Sequence, residues 1–386
     1  MTQTSESRSG FGTTKGKRHP ALNPKTDSIA LSDGISQFTS PMCHSHNKTI
    51  KILFLADTHL GFDLPMRPRI ERRRRGIDFF KNYYLAIQPA FDNKVDLVIH
   101  GGDLFFRSRV HPKIVSDSFK PLLQIADCGI PIYIVPGNHE RSNIPQSLLE
   151  THQLIHIFEK PRTFYFTKDK ITLALAGFPY YKNGIRQDFQ KVIDQTGYKE
   201  KEAGIKLLCM HQIVEGAQVG IQNYTFRSGD DVIQGKDIPE DFLAVLSGHI
   251  HRWQVLTKDL AGRSLAAPVL YPGAIERTSF VEREEKKGFF IIEVGFFQNT
   301  NTPKIKWAFQ ELPARPMYLI EMDIDELDSN NVKSILKNKI SKLNPDGVVK
   351  VNFKVSFNPD IYPQIDIEWL RSITPKTMNV DLKYTC

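Results

Sequence analysis

Five short apolar runs, each followed at once by polar residues, constrain the fold of this chain more than any other feature. Each run has the length of a buried strand and is bounded by Gly, Pro or polar residues. The runs are Ile52–Ala56, Val95–Ile99, Ile130–Val135, Ile205–Met210 and Phe242–Leu246. Segments with helical spacing, Arg69–Gln88 and Pro112–Cys128, separate the first three. This β-α-β-α-β alternation predicts an α/β fold in which part of the sheet is parallel and covered on both faces.

The residues directly after these runs are of the types that coordinate metal ions. In open α/β sheets, ligands bind beyond the carboxyl ends of the strands, so side chains that are distant in sequence can meet there. Each motif by itself is typical of a capped turn or of a satisfied core histidine, but all of them together indicate one site. The candidate ligands are Asp57, His59, Asp103, Asn138, His211, His249 and His251.

This set of ligands predicts two metal ions rather than one. Aspartate, histidine and asparagine without a thiol suit Mn²⁺, Fe or Zn²⁺, and seven such groups exceed what a single ion needs. Two dications about 3.5–4 Å apart repel each other, so a carboxylate has to bridge them. Asp103, which is central in the order of the motifs, is the best candidate for the bridge.

Glycines precede several candidate ligands, at the turns that follow the strands. They are Gly101, Gly102, Gly137 and Gly248. Because glycine has no Cβ, it adopts positive φ without strain. We therefore expect positive φ at these positions, and we expect a substitution there to displace a ligand rather than to remove it.

In this order, the motifs resemble those of the calcineurin-like metallophosphoesterase superfamily: D-x-H, G-D, G-N-H, a lone His and G-H-x-H. Here they are Asp57-Thr-His59, Gly102-Asp103, Gly137-Asn-His139, His211 and Gly248-His-Ile-His251. The stretches ADTHLGFD, GGDLFF and LYPGAIERTSFVEREEKKGFFIIEV resemble the SbcD-like branch of DNA double-strand-break repair nucleases. The resemblance implies a four-layer α/β/β/α sandwich with a small C-terminal α+β cap domain.

The same resemblance implies how the ligands divide between the two metals, with Mn²⁺ as the usual active ion. Asp57, His59, Asp103 and His251 would hold one ion, and Asp103, Asn138, His211 and His249 the other. The ions would lower the pKa of a bridging water and so provide a hydroxide for in-line attack on a DNA phosphodiester. His139 would be the catalytic residue that stabilises the developing charge or protonates the leaving oxygen.

One departure concerns the position after Gly-Asp-Leu-Phe, where many relatives have a histidine that orients DNA for exonucleolytic cleavage. This chain has Phe106 there, which leaves open the choice between exonuclease and endonuclease. Arg107, Arg109 and His111 come shortly after it, and we expect these side chains to bind the substrate instead.

The segment between His211 and Gly248 is rich in Gly, Asp and Gln and is too long for a simple connection. We interpret it as a loop that walls the metal cleft, and a passive surface loop is the alternative. In the first interpretation Tyr224, Phe226 and Arg227 supply stacking or phosphate contacts to the substrate.

A cluster of arginines after the first motif favours a polyanionic substrate. The chain carries a net charge of +8, from 51 basic and 43 acidic residues, and the cluster concentrates positive charge locally. It consists of Arg67, Arg69, Arg72, Arg73, Arg74 and Arg75. A phosphomonoesterase or small-nucleotide phosphodiesterase would have the same metal ligands, and a non-catalytic DNA-end-binding scaffold could retain them. The arginines argue for DNA over a small substrate, and His139 argues against a scaffold.

The remaining segments divide the chain into three parts. We expect residues 1–48 to form a disordered tail, residues 49–312 to form the phosphoesterase domain and residues 313–386 to form the cap. By resemblance to SbcD-like nucleases, the cap would lie beside the active site and help to select DNA. It is expected to contain a strand, a helix and a strand, at 317–324, Asn330–Leu343 and Val348–Phe357.

Composition indicates a soluble cytoplasmic protein. The chain has no run of about 18 or more apolar residues and no CxxC pair among its cysteines, which is typical of a reducing compartment. No long amphipathic helix follows the cap, whereas SbcD-like subunits use such helices to hold an SMC-like ATPase, SbcC. We leave this partner open and expect the protein to act on DNA alone or as a homodimer.

Overall fold

The computed structural model describes residues 48–64, 75–140, 152–297, 301–323, 329–354 and 365–385. Its helices are α1 (Gly76–Phe91), α2 (Pro112–Asp127), α3 (Ile185–Gln195), α4 (Ser329–Ser341) and α5 (Ile367–Ser372). None of the helices in these ranges combines the length and the apolar character that crossing a membrane requires. All but the last residue of the predicted tail lies outside the described residues.

The strands of the described chain are short, and most of them belong to two large sheets. The strands up to the middle of the chain are β1 (Lys48–Leu55), β2 (Leu97–His100), β3 (Ile132–Ile134), β4 (Ile155–Ile157), β5 (Arg162–Lys168), β6 (Ile171–Gly177), β7 (Ile205–Met210), β8 (Ile213–Val214), β9 (Gln218–Val219) and β10 (Tyr224–Thr225). They are followed by β11 (Val232–Ile233), β12 (Ala244–Ser247), β13 (Gln254–Lys258), β14 (Ser264–Tyr271), β15 (Gly288–Phe296), β16 (Lys304–Glu311), β17 (Met317–Asp323), β18 (Val348–Lys354) and β19 (Asn379–Thr385).

Each large sheet has six strands and a parallel centre. The first has the order β16-β15-β1-β2-β3-β4, in which β1 to β4 are parallel and β15 and β16 are antiparallel additions. The second has the order β13-β14-β12-β7-β6-β5, in which β14, β12, β7 and β6 are parallel. The five strands that precede the motifs therefore do not share one sheet, because β1, β2 and β3 lie in the first and β7 and β12 in the second.

The two sheets pack face to face and helices cover their outer faces, which confirms the expected α/β/β/α layers. Side chains alternate along β1. Phe54 points between the sheets, where it packs in one cluster with Leu207 of β7. Leu55 points outward and packs with Phe79 of α1. On the other side of the sandwich, α3 buries Phe189 in the cluster that covers the second sheet.

Most of the predicted elements are present, with shifted ends. The strand β7 coincides with the predicted run, α2 ends one residue before the predicted Cys128, and the helix predicted over Arg69–Gln88 is described as α1. The hairpin of β5 and β6 was not predicted. Its turn residues, Asp169 and Lys170, both have positive φ, at 49° and 68°. A two-residue turn of this kind usually contains glycine, and its absence weakened the signal.

A third sheet follows, with β17, β18 and β19 parallel and α4 and α5 in the connections between them. Arg315 joins this sheet to the main body. Its buried guanidinium donates hydrogen bonds to Oδ2 of Asp78 on α1, at 3.0 Å, and to Oδ1 of Asn379 on β19, at 2.7 Å. A buried charge is costly without its partner, so this pair anchors the third sheet. The end of the strand predicted over Val348–Phe357 lies outside the described residues.

Candidate metal centre

The predicted ligands lie on loops at one end of both sheets. In the first sheet, the pairing of β1 and β2 continues beyond the strands, because the N–H of Asp57 donates to the carbonyl of Gly102 at 2.9 Å. In the second sheet, the N–H of Gly248 donates to the carbonyl of Met210 at 3.2 Å, which sets the loop after β12 beside the end of β7. Strand register therefore determines which side chains meet.

Three of these side chains form a first donor group. Nε2 of His59 and Nε2 of His251 are 2.9 Å apart, and Oδ1 of Asp57 lies 3.9 Å from Nε2 of His251. The rings of His59 and His251 meet edge to face, with centroids 4.8 Å apart. The side chains of Asp57 and His59 are fully buried, whereas that of His251 is 27 % exposed, so the group opens to solvent on one side.

Three others form a second donor group, and Asp103 lies between the two. Oδ1 of Asn138 is 3.0 Å from Nε2 of His211 and 2.9 Å from Nδ1 of His249. Oδ2 of the buried Asp103 is 3.5 Å from Nε2 of His211 and 3.9 Å from Nε2 of His59. Asp103 is therefore the carboxylate that both groups share.

The hydrogen bonds behind the histidines leave lone pairs that face inward, which fits cations at this place. Nδ1 of His211 donates to the carbonyl of Gly101 at 2.7 Å, so Nε2 of the neutral ring has a free lone pair. Nδ1 of His251 bonds Oε1 of Glu282 at 3.1 Å, with the same effect. Nitrogen and oxygen donors of this kind suit Mn²⁺, Fe or Zn²⁺. Sets that could hold an ion are Asp57 with His59 and His251, and Asp57 with Asp103 and His211.

Burial and neighbouring charges shift the pKa values of Asp103 and of the histidines around it. Burial would lower the pKa of His211, but Asp103 and Asp57 raise it to about 9. Burial would raise the pKa of Asp103, but His211 and the other imidazoles hold it well below its usual range. The pKa of His249 is lowered to about 3 by burial and by His211. Without a cation, His211 therefore holds a proton at neutral pH, whereas His249 is neutral.

The tight turns place positive φ on several of the predicted ligands themselves. The ligands concerned are Asp57, His59, Asp103 and His249, with φ of 51°, 44°, 53° and 81°. Aspartate and histidine adopt this region more readily than most residues. Of the glycines for which positive φ was predicted, Gly102 has it, at 107°. The prediction is wrong for Gly101, Gly137 and Gly248.

Gly137 and Gly248 are required by space instead. A Cβ at Gly137 would lie 2.2 Å from Oδ1 of Asp103, and a Cβ at Gly248 would lie 2.3 Å from the carbonyl oxygen of Gly101. Both distances are far below van der Waals contact. A substitution at Gly137 would therefore displace Asp103, a ligand on a neighbouring loop, rather than the ligand that follows it in sequence.

His139, the predicted catalytic residue, lies beside both groups. Its N–H donates to Oδ1 of Asp103 at 2.9 Å, and Nδ1 bonds the carbonyl of Phe106 at 2.6 Å. Because a carbonyl only accepts, Nδ1 carries the hydrogen. Nε2 lies 3.9 Å from Oδ2 of Asp103, and the side chain is 33 % exposed. His59, Asp103 and His139 are also close enough together to hold an ion.

The predicted substrate-binding residues Arg107, Arg109 and His111 line one cavity of 580 Å³ together with Phe106. The guanidinium of Arg107 lies over the ring of Phe106, 5.5 Å from its centroid. His111 also caps α2, because its Nδ1 accepts a hydrogen bond from the N–H of Lys113 at 3.2 Å. The cavity adjoins the metal centre through Phe106, whose ring centroid is 5.6 Å from that of His139.

The segment between His211 and Gly248, which we interpreted as a loop that walls the metal cleft, includes short paired strands. It contains the parallel pair β8 and β11 and the antiparallel pair β9 and β10. Tyr224 is exposed, whereas Phe226 is partly buried and packs against the core of the second sheet, and contact of either ring with substrate stays a prediction. Arg227 lies exposed after β10 and does not line the cavity of Arg107.

Most of the predicted arginine cluster, residues 67 to 74, lies outside the described residues. Arg75 is described and is buried rather than part of a basic surface. Its guanidinium donates a hydrogen bond to the carbonyl of Arg277 and lies 5.2 Å from the ring centroid of Phe62. Burial lowers the pKa of Arg75. Arg75 therefore contributes little to a basic surface that a polyanion could contact.

Two buried groups behind the ligands were missed. Glu140 accepts hydrogen bonds from the N–H of Phe105 at 2.6 Å and of Gly137 at 2.8 Å, so it ties two ligand loops together. Burial and Asp103 raise the pKa of Glu140 to about 8. Nε2 of His100 lies 3.0 Å from Oγ1 of Thr58, and burial lowers the pKa of His100 to about 3. Glu140 directly follows the Gly-Asn-His motif, but its role depends on the contact between loops.

Comparison with known proteins gives a family match and distant relatives. The family model described as calcineurin-like phosphoesterase matches residues 50–253. The DNA double-strand break repair protein Mre11 of Archaeoglobus fulgidus is 22% identical over 339 residues, which cover 81% of this chain and 70% of that protein. The protein of the same name from Sulfurisphaera tokodaii is 24% identical over 313 residues, which cover 79% of this chain and 72% of that protein. The one from Methanosarcina mazei is 28% identical but only 36% of its length is covered.

Solved structures show more remote likenesses. A dimetal phosphatase from Danio rerio superposes with a TM-score of 0.41 and 11% identity over 68% of this chain and 98% of that one. The NAD nucleotidase of Haemophilus influenzae gives a TM-score of 0.36 and 12% identity over 84% of this chain and 67% of that one. These values are too low to carry functional detail.

Proposed function

Because the chain belongs to the calcineurin-like phosphoesterase family, we propose that it hydrolyses phosphodiester bonds of DNA with two divalent cations, in the manner of an SbcD-like repair nuclease. Family membership makes it a metal-dependent phosphoesterase, and the proposal concerns the substrate and the residues. The relatives named as DNA double-strand break repair proteins support DNA as the substrate.

One observation carries the proposal: two donor groups flank the buried carboxylate of Asp103. Oδ2 of Asp103 lies 3.5 Å from His211 of the second group and 3.9 Å from His59 of the first. A shared carboxylate between two such groups is the arrangement that a pair of dications needs, because it offsets their repulsion. We assign Asp57, His59, Asp103 and His251 to one ion and Asp103, Asn138, His211 and His249 to the other, with Mn²⁺ as the proposed metal.

A bound pair of cations supplies Lewis acidity at phosphorus and an activated water. The protein supplies the proton that the leaving oxygen requires. His139 is suited to this role when its ring carries both hydrogens, because the carbonyl of Phe106 accepts the Nδ1–H and Nε2–H then lies near Asp103 on the exposed side of the centre. Donation to the leaving oxygen leaves the neutral ring. The backbone bond from His139 to Asp103 fixes the distance between this imidazole and the ligands.

The surroundings of the centre favour an extended anion over a small one. Arg107 and Arg109 line a cavity that begins at Phe106, so positive charge continues away from the metals. We propose that they and His111 bind the DNA backbone or an adjacent base, and that Arg227 contributes a phosphate contact. We also propose that residues 49–312 carry the catalytic domain and residues 313–386 a cap that helps to select DNA.

Cleavage assays on a panel of substrates test this proposal. The purified chain is incubated with Mn²⁺ and single-stranded, blunt-ended or hairpin DNA, beside a chromogenic phosphodiester and a chromogenic phosphomonoester. We expect cleavage of at least one DNA that requires Mn²⁺. We also expect DNA affinity to fall steeply with salt, because contacts to phosphate release counterions.

Each other outcome supports an alternative. Cleavage of the monoester alone would indicate a phosphomonoesterase, and cleavage of the chromogenic diester without any DNA would indicate a small-nucleotide phosphodiesterase. Binding of DNA ends with both metals present and no hydrolysis would indicate a scaffold. Any of these results would contradict the proposed nuclease activity.

We expect metal binding to release a proton from His211. The pKa of this imidazole is raised from 6.5 to about 9 in the folded protein, whereas a metal ligand has to be neutral. Its proton stabilises the metal-free fold fully below pH 6.5, and this contribution is lost as the pH rises through about 9. Apparent Mn²⁺ affinity should therefore rise between these values, by up to roughly tenfold per pH unit for one proton.

Calorimetric titration in buffers with different enthalpies of ionisation measures this release. At pH 7 the observed enthalpy should change with the buffer by an amount that corresponds to one proton or more. The release should diminish as the pH rises through about 9, where His211 loses this proton without a metal. An enthalpy that is the same in all buffers at pH 7 would show that His211 is not a ligand that titrates in this range.

A further inference from the structure

The imidazole of His251 is held from behind by Glu282. Nδ1 of His251 lies 3.1 Å from Oε1 of Glu282, while Nε2 faces the first donor group, 2.9 Å from Nε2 of His59. A carboxylate only accepts hydrogen bonds, so Nδ1 carries the hydrogen and Nε2 presents its lone pair. The contact therefore selects the tautomer that a metal ligand needs.

A buried lysine holds Glu282 in turn. Nζ of Lys287 lies 2.5 Å from Oε2 of Glu282, and the lysine side chain is fully buried. The same ammonium group donates to the backbone carbonyl of His251 at 2.9 Å. Oε1 of Glu282 also accepts from Oγ1 of Thr278 at 2.5 Å. Both oxygens of the carboxylate are thus occupied, and its orientation toward His251 is fixed.

A second glutamate in the same network does not touch this ring. The carboxylate of Glu285 lies 3.1 Å from Nζ of Lys287 and 3.2 Å from Nε of Arg252. Within the described residues it pairs with these two cations and not with the ring of His251. Glu282 and Glu285 are both nearly buried and both contact Lys287, but Glu282 also contacts His251 and Thr278, whereas Glu285 also contacts Arg252.

We propose that Glu282 is a positioning residue, which holds the ring of His251 so that Nε2 points at the ion of the first donor group. The inference rests on the proposed two-metal function. Histidines that bind metals commonly donate their other ring N–H to a carboxylate, which orients the ring and makes the ligand nitrogen more basic. Lys287 compensates the charge of Glu282, which would otherwise be costly to bury.

Titration with Mn²⁺ tests the proposal without reference to activity. Calorimetry is done on the full chain and on Glu282→Gln, in which the glutamine keeps the size of the side chain and loses its charge. We expect the affinity of one of the two Mn²⁺ positions to fall roughly 10–100-fold and that of the other to stay within a few-fold. The matched control, Glu285→Gln, should leave both affinities within a few-fold of the unmodified chain.

A double-mutant cycle distinguishes positioning from general support of the fold. If Glu282 acts through His251, then Glu282→Gln should cause no further loss of Mn²⁺ affinity in a His251→Ala background. Equal losses in both backgrounds would overturn the proposal, as would equal losses in Glu282→Gln and Glu285→Gln. Thermal unfolding of each variant verifies that it folds. If Glu282→Gln does not fold, Glu282→Gln with Lys287→Gln removes both charges together and is titrated in its place.

The failure of this inference differs from the failure of the proposed function. If the unmodified chain binds no pair of Mn²⁺ ions or cleaves no DNA, the function is wrong. If it binds the pair and cleaves DNA but Glu282→Gln binds both ions as the unmodified chain does, only the positioning role is wrong.

Discussion

Replacing Asp103 with asparagine is expected to reduce phosphoesterase activity by at least about 10³-fold, the largest effect of any single change in this chain. A bridging carboxylate that offsets the repulsion of two dications is worth several kcal/mol, and each 1.4 kcal/mol is about tenfold in rate. Asparagine keeps the shape of the side chain and an oxygen that can accept the N–H of His139, which donates to Asp103 at 2.9 Å. The loops should therefore stay in place while the charge between the donor groups is lost.

The measurement combines turnover with metal content. The Asp103→Asn protein should hold at most one Mn²⁺ per chain after dialysis, and its turnover should not recover at saturating DNA. Asp117→Asn is the matched control, because the side chain of Asp117 lies partly exposed on α2, away from both donor groups, and pairs with the exposed Lys113. Activity within tenfold of the unmodified chain, with two ions retained, would remove Asp103 from the role of bridge.

Replacing His139 with alanine is expected to lower turnover by about 10²–10⁴-fold, the contribution typical of general acid–base catalysis. Metal content should not change, because the side chain contacts the carbonyl of Phe106 and lies 3.9 Å from Oδ2 of Asp103. Its backbone N–H still donates to Asp103 after the change. The two results together separate a proton donor from a metal ligand.

Metal analysis and turnover are measured on the same preparation. His152→Ala is the control, since the side chain of His152 pairs with Asp127 and belongs to neither donor group. A loss of one Mn²⁺ with the activity would identify His139 as a ligand. That result has a geometric basis, because His59, Asp103 and His139 lie close enough together to hold an ion.

The departure at Phe106 affects the side chain but not the backbone that supports His139. Nδ1–H of His139 donates to the backbone carbonyl of Phe106, and any residue at this position would provide that carbonyl. The aromatic ring packs against Phe62, with centroids 4.9 Å apart, and lies under Arg107. The side chain of Phe106 therefore shapes the wall of the adjacent cavity, whereas its backbone holds the imidazole of His139.

The amino-acid sequence alone determined where the main buried strands lie and which motifs follow them, because both depend on residues that are close together in the chain. Apolar runs bounded by Gly, Pro and polar residues are local signals, and β7 coincides with the run predicted for it. The order of the motifs at the ends of these runs was sufficient to predict a shared metal site with Asp103 at its centre. The resemblance carried by these motifs also predicted the four layers, which the sheets and helices confirm.

Pairing between distant strands decided what the sequence left open. A strand that is buried on both faces has a uniformly apolar sequence, so its composition does not show which sheet it joins. The division of β1 and β12 between two sheets is therefore visible only in the structure. The need for glycine at position 137 is likewise visible only in the structure, because Asp103 on another loop limits the space there.

Contacts between residues that are far apart in the sequence also decided which polar groups support the candidate metal centre. Glu282 lies 31 residues beyond His251, and Arg75 lies 202 residues before the carbonyl of Arg277 to which it donates. No periodicity or spacing relates such pairs, since their meeting depends on the register of every strand between them. The sequence thus determined the chemistry of the ligands, and the tertiary structure decided their grouping, their tautomers and the buried charges that hold them.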